Sequence, residues 1–289
     1  MTESTKKKAL VVCGPTASGK SDLSDALAER LTHTYGLYAP TLVVDSMQVY
    51  EELPVITNQA RRRPAELVGI ASVTEEWTVA RHRDLAEGII GETETPFVLD
   101  AGTGMYSNAI IFDVPLAPKV SQEIRTQAQQ ISGCAPNPRR AARAKELELA
   151  GAPHRGSIWD GNLRYATTLI YLRPTRDALD AAVARRSERM ARGGLDEAAR
   201  IKDLAERGAK INPPVLDSIG VRELLKHLSG TMTLQGAQTH ITTRTRQLAR
   251  RQLRWFDKLA RTLSATGACV SVAENPTEID IDSIVCMIQ

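Results

Sequence analysis

Short apolar runs, rich in β-branched residues, punctuate this chain, and each breaks off at a turn-forming or charged residue. Ala9–Cys13 (ALVVC) stops at Gly14. A second run within Pro40–Tyr50 (PTLVVDSMQVY) ends in the polar corner Asp45–Ser46, and a third within Thr95–Tyr106 (TPFVLDAGTGMY) ends at Asp100 and a glycine-rich turn. Continuous apolar runs of this length predict strands buried on both faces. Lys20–Tyr35 behaves differently: Leu23, Ala26, Leu27 and Leu31 recur at helical spacing. Strands alternating with helical segments predict right-handed crossovers and a parallel sheet. Ligands of such sheets gather at the carboxyl ends of the strands. Asp45, Asp100 and the turn after Cys13 all fall on that edge.

From about Asp113 to Asn162 the strand pattern disappears. Lys119–Ser132 and Arg139–Gly151 read as helices divided by the breaker Gly133–Pro138 (GCAPNP). A helical insertion over 113–162 is therefore expected within an α/β core formed by 8–112 and 163–275. Sheet character returns at Ala166–Pro174. Helices follow at Thr175–Gly194, with Pro174 before and two glycines ending it, and at His240–Thr262. Ala268–Ala273 reads as a short strand, and the tail beyond it gives no pattern.

The 289 residues are 42% hydrophobic and only 4% aromatic. The core must be aliphatic, which suits helices on a parallel sheet better than a sandwich. A net charge of +3 gives no general attraction to polyanions, so any such site must be a local patch. Cys13, Cys134, Cys269 and Cys286 lack the spacing of a zinc site and read as free thiols of a reducing compartment. No leader-like or membrane-length apolar stretch is visible, and a soluble, cytoplasmic protein is expected.

Chemistry enters with Gly14-Pro15-Thr16-Ala17-Ser18-Gly19-Lys20-Ser21, a full match to the P-loop pattern with a strand before it and a helix after it. Its glycines let backbone N–H groups turn inward around phosphate oxygens. The helix N-terminus and Lys20 add positive charge, and the Ser21 hydroxyl is placed to ligate Mg²⁺. The expected fold class is α/β: a P-loop NTPase-like parallel sheet flanked by helices, with a smaller helical insertion. The loop specifies phosphate and metal, not the group attached to them.

GPTASGKS, VVDSMQVY, AGTGMY, IGVRE and TRQLARRQLRW occur in this order and spacing from Leu10 to about Lys258. In this the chain resembles the isopentenyltransferase family, which comprises tRNA dimethylallyltransferases and the adenylate isopentenyltransferases that form cytokinins. The resemblance implies that the loop holds the pyrophosphate of dimethylallyl diphosphate while an amine, most often adenine N6 of a nucleotide or tRNA, attacks C1 of the prenyl group. It makes Asp45 the general base and places the Thr103 hydroxyl near diphosphate and amine. Arg222, in IGVRE, is the candidate further clamp on the diphosphate through its planar fork. Arg246 is carried over to the same role, because the family's arginine segment lies near the diphosphate. Ser46, Gln48 and Asp217 join Asp45 as candidate acceptor contacts, and an amide such as Gln48 can pair bidentately with adenine.

The chain departs from the family at positions that bear on the acceptor. PVITNQ, Pro54–Gln59, is closer to the cytokinin-forming members, but Gln59 stands where a lysine is usual. Asp100 replaces an apolar residue and is a possible second metal ligand; Asp217 replaces an arginine. Positive charge lost and negative charge gained around a phosphate site predicts an acceptor with fewer phosphates. A free nucleotide or another amine metabolite is then expected ahead of tRNA. The insertion also looks short for a full anticodon-stem clamp. Two other readings stand beside this one. A P-loop small-molecule kinase would use ATP with Asp100 on Mg²⁺, but it leaves DSMQVY unexplained. A non-catalytic binding protein of the same fold has no use for Asp45.

Overall fold

The computed structural model describes residues 6–132, 138–152 and 156–289. Cys134, the rest of the breaker's residues 133–137, and the charged residues 1–5 lie outside the described residues. Strands β1 (Lys8–Cys13), β2 (Thr41–Val44), β3 (Phe97–Ala101), β4 (Ala166–Leu172) and β5 (Cys269–Ala273) form one sheet in the order β2-β3-β1-β4-β5. Every neighbouring pair is parallel. β1 is central because nothing in Ala9–Cys13 needs water, and all five residues are buried.

The helices are α1 (Lys20–Tyr35), α2 (Pro54–Thr57), α3 (Val79–Glu92), α4 (Gly104–Ile111), α5 (Gln122–Ser132), α6 (Pro138–Leu149), α7 (Arg176–Gly193), α8 (Leu195–Glu206), α9 (Pro213–Leu216), α10 (Val221–Leu228), α11 (Leu234–Ala265) and α12 (Ile281–Met287). Phe112–Asn162 separates from the rest as a compact unit. Within it α5 packs on α6, and Arg143 ties the unit internally through Glu146 at 2.7 Å and the Pro118 carbonyl at 2.9 Å.

Two elements differ from the sequence expectation. α11 begins at Leu234, six residues before His240, because Thr233 caps it by accepting from the Gly236 N–H at 3.0 Å. Gly236 in the first turn masks that start, glycine being a poor helix former. The unpatterned tail also folds into the core. Asp280 caps α12, and Ile284 and Val285 join the core cluster that Leu10 and Val12 of β1 form with Leu23, Leu27 and Leu31 of α1.

The sheet sets the site. Register pairs Val12 with Asp100 and Val44 with Ala101. The phosphate loop after β1, the corner after β2 and the turn after β3 therefore emerge side by side.

Candidate active site

The loop between β1 and α1 is shaped by one close approach. Gly14 has φ 153°, and a Cβ there would lie 2.5 Å from the Leu172 carbonyl oxygen. Only glycine lets β1 turn away this close to β4. Lys20 is buried in the first turn of α1, and its ammonium donates to the Pro15 carbonyl at 2.8 Å. Burial pushes its pKa down, with Asp100 pulling the other way. The Ser18 hydroxyl is buried with no hydrogen-bond partner, although buried polar atoms are nearly always satisfied. A phosphate oxygen seated in the loop would supply that partner. The Thr16 N–H is held from outside by the Gln252 amide oxygen at 2.8 Å, while the Gln252 NH₂ donates to the Gly102 carbonyl at 2.8 Å. One side chain of α11 thus spans the loop and the turn after β3.

Asp45 stands across this edge. Its Oδ1 accepts from the backbone N–H of Met47 at 2.8 Å and of Gln48 at 3.3 Å. Among the described residues Oδ2 receives only the Thr103 hydroxyl, at 3.4 Å. The turn makes room for that oxygen: a Cβ on Gly102 would come within 2.6 Å of it. The Ser46 N–H donates to the Thr103 hydroxyl at 3.2 Å. Asp45, Ser46 and Thr103 are therefore one hydrogen-bonded corner. Gln48 keeps its side-chain oxygen buried and unpartnered.

The charge arithmetic expected from sequence is corrected by residues it left out. The Asp100 carboxylate is not free: Arg61 donates to it and to Asp25, each at 2.7 Å, with all three side chains at most 5% exposed. Burial alone would lower the Arg61 pKa, but the two carboxylates outweigh it and hold it raised. Asp217 is likewise answered, by Arg222 at 3.1 Å and Arg244 at 3.9 Å. Arg222, half exposed, gives one N–H to that carboxylate. Gln59 is occupied locally, donating to the Tyr50 carbonyl at 2.8 Å and the Thr57 hydroxyl at 3.0 Å. Arg246 pairs with Asp180 of α7 at 3.0 Å and lines a cavity to which no loop residue contributes.

α7 supplies a further cation, Arg186, that the sequence reading did not single out. The Arg186 guanidinium is half-buried and makes one long hydrogen bond, to the Thr57 carbonyl at 3.4 Å. Burial lowers its pKa, against the pull of Asp45, and its charge in turn lowers that of Lys20. Lys20, Arg186 and Asp45 thus feel one another electrostatically, and neither cation forms an ion pair among the described residues. The only advance signal was Arg186's place on the helix following β4.

A metal would find hard oxygen donors here. Ser21 donates to Asp100 at 2.8 Å, so its hydroxyl lies at the loop's mouth. No group of three or more His, Cys, Asp or Glu is arranged for a metal among the described residues. Mg²⁺, the metal expected from sequence, takes few protein ligands and completes its shell with substrate phosphates and water. Asp100, as the second ligand expected from sequence, already has its Oδ2 engaged by Ser21 and Arg61.

A family model described as IPP transferase matches residues 48–135 and 128–259. The chain is 60% identical over 272 residues to a tRNA dimethylallyltransferase of Rubrobacter xylanophilus, covering 94% of this chain and 93% of that one. It is 31% identical to a protein of the same name from Thermobifida fusca, over 86% of each chain. Among solved structures, a full-length tRNA isopentenylpyrophosphate transferase from Bacillus halodurans superposes with a TM-score of 0.68 at 29% identity, covering 98% of this chain and 94% of that one.

Proposed function

The chain belongs to the IPP transferase family, and from that premise we propose that it moves the dimethylallyl group of dimethylallyl diphosphate onto the N6 amine of an adenine in tRNA, releasing pyrophosphate. Membership in the family displaces the kinase and binding-protein alternatives. The tRNA acceptor rests on the relatives, including the one at 60% identity that is a tRNA dimethylallyltransferase. The small-molecule acceptor expected from Asp100, Asp217 and Gln59 has no support in these comparisons. Its physical basis is gone as well, because Arg61, Arg222 and Arg244 answer the two carboxylates.

The observation that carries the chemistry is the juxtaposition of unspent phosphate donors with Asp45. The amine nitrogen attacks C1, the C1–O bond breaks, and pyrophosphate departs with the bonding electrons. The N6 proton passes to Asp45 Oδ2, since Oδ1 is already taken by two backbone N–H groups. Thr103 holds that carboxylate in place. Negative charge grows on the leaving group, so the loop N–H groups, Lys20 and Arg186 bind the transition state more tightly than the ground state. Mg²⁺, held by Ser21, would supply further neutralisation of that charge when bound.

The test is incubation with dimethylallyl diphosphate, Mg²⁺ and, separately, tRNA, AMP, ADP and ATP, read by mass for one added C5H8. Modification of tRNA alone is expected. Modification confined to free nucleotides would overturn the acceptor, and phosphoryl transfer from ATP would overturn the chemistry.

A further inference from the structure

α2 cannot hold itself together. A helix of four residues is unstable alone in water, its first residue, Pro54, has no N–H, and the preceding Leu53 offers no side-chain cap. The next two N–H groups are met by one side chain of α8. Glu197 accepts from Val55 at 2.6 Å with one carboxylate oxygen and from Ile56 at 2.9 Å with the other. Glu197 is buried and forms no ion pair among the described residues. Burial raises its pKa, with the Ile56 and Val55 N–H groups opposing. A buried carboxylate answered only by backbone donors is a costly fastening for one turn. What that turn holds at its other end therefore matters.

The other end meets Arg186. Thr57 closes α2, and its carbonyl accepts the Arg186 Nη2 N–H at 3.4 Å. Among the described residues this is the guanidinium's one hydrogen bond. Side chains fix the seat of the turn between those two contacts. A Cβ on Gly194 would lie 2.6 Å from Ile56 Cγ1, and one on Gly220 would lie 2.8 Å from Ile56 Cγ2. Ile56 thus enters a socket between the starts of α8 and α10 that exists only because both positions lack a side chain. α7 and α8 follow one another directly, so a single helical pair clasps α2 at both ends, with Glu197 on its amides and Arg186 on its last carbonyl. An arginine side chain has many rotamers to lose, and the electrostatic pull of Arg186 on Lys20 depends on which of them it keeps.

We infer that Glu197 is a positioning residue for the transfer reaction: by fixing α2 through Val55 and Ile56, it fixes the Thr57 carbonyl that aims the Arg186 guanidinium at the phosphate loop. Glu197 makes and breaks no bond itself. Its role rests on the reading of that loop as the seat of a diphosphate.

The test titrates the full chain with inorganic pyrophosphate and Mg²⁺ by calorimetry, which needs neither acceptor nor turnover, and measures the KM for donor and for tRNA beside it. Glu197→Ala, Glu197→Gln, Arg186→Gln and the double variant Glu197→Ala/Arg186→Gln are compared with wild type at a temperature where thermal melts show them folded. Glu197→Ala is expected to weaken pyrophosphate binding and raise the donor KM by on the order of tenfold, with the tRNA KM unchanged. Glu197→Gln keeps one acceptor oxygen and should recover part of that loss. It also replaces the alanine variant, alone and with Arg186→Gln, if the latter does not fold. A residue that acts only through Arg186 adds nothing once that side chain is gone, so the double variant should bind as Arg186→Gln does. Wild-type affinity in the folded Glu197 variants, or the same further loss in the Arg186→Gln background, overturns the positioning role alone. Absence of pyrophosphate binding by wild type overturns the diphosphate reading of the loop, and the role that rests on it.

Discussion

Two sets of charge, one buried and one buried in part, lie at the same edge of the sheet, built on opposite terms. Asp25, Arg61 and Asp100 form a closed cluster in which one fork spans two carboxylates, each at 2.7 Å. Lys20 and Arg186 form an open pair, each donating, among the described residues, only to a backbone carbonyl, at 2.8 and 3.4 Å. Taking an ion out of water costs several kcal/mol unless a counter-ion and hydrogen bonds repay it. The closed cluster has been repaid within the fold, so its role is to fasten the segment around Arg61 to α1 and β3. The open pair has not, and a diphosphate is the group that would repay it. Buried charge therefore divides into structure and site according to whether its partner is part of the chain.

The contrast can be broken by substitution. The largest effect is expected at Asp45, the anion of the open set. Asp45→Asn removes the proton acceptor and should lower kcat by about 10³- to 10⁴-fold with the donor KM little changed. Retention of full single-turnover rate would remove Asp45 from the reaction. Arg61→Met strands two carboxylates and should cost about 3–5 kcal/mol in a urea melt. Adding Asp25→Asn and Asp100→Asn to that variant should recover part of the loss. Arg186→Gln tests the other side: the donor KM should rise roughly 10- to 100-fold, while the melting temperature holds or rises. If Arg186→Gln instead destabilises as Arg61→Met does, the distinction between the two sets is lost.

The smallest effect concerns a group that escapes pairing by staying neutral. His82 is fully buried and accepts from the Trp77 indole N–H at 3.2 Å. Burial drops its pKa to about 4, with the nearby Val43 backbone opposing. The unfolded chain binds this proton first, near pH 6.5. Stability is therefore intact above that value and is lost as pH falls towards 4, at about 1.4 kcal/mol per pH unit from this group. Urea midpoints from pH 7.5 to 5 should fall less steeply in His82→Gln than in wild type; parallel slopes would assign the acid sensitivity elsewhere.

What the sequence made legible was local. The phosphate loop is read directly because strand, glycines, Lys20 and Ser21 are contiguous, and the β1 and β3 runs are read because nothing polar interrupts their interior. Asp45 and Thr103 stand in two short motifs, and their side chains meet at 3.4 Å. Partners remote along the chain were not legible. Asp100 looked like an added negative charge because the arginine that neutralises it lies 39 positions earlier, in a stretch with no pattern. Nothing in IGVRE reveals that Asp217, five residues before Arg222, accepts one of its N–H groups. Arg186 and Gln252 carry no mark that separates them from the other polar residues of α7 and α11. Only the packing of those helices over the sheet edge selects them.

The amide of Gln252 links the phosphate loop, the proposed seat of one substrate, to the turn that bears Thr103, the proposed neighbour of the other. Energy exchanged through such a bridge must flow equally in both directions. A factor by which the first partner alters affinity for the second will return unchanged when the order of addition is reversed. Gln252→Leu, assayed for each substrate with and without the other, should bring that factor to one. If it stays as in wild type, communication between the two half-sites runs by another route.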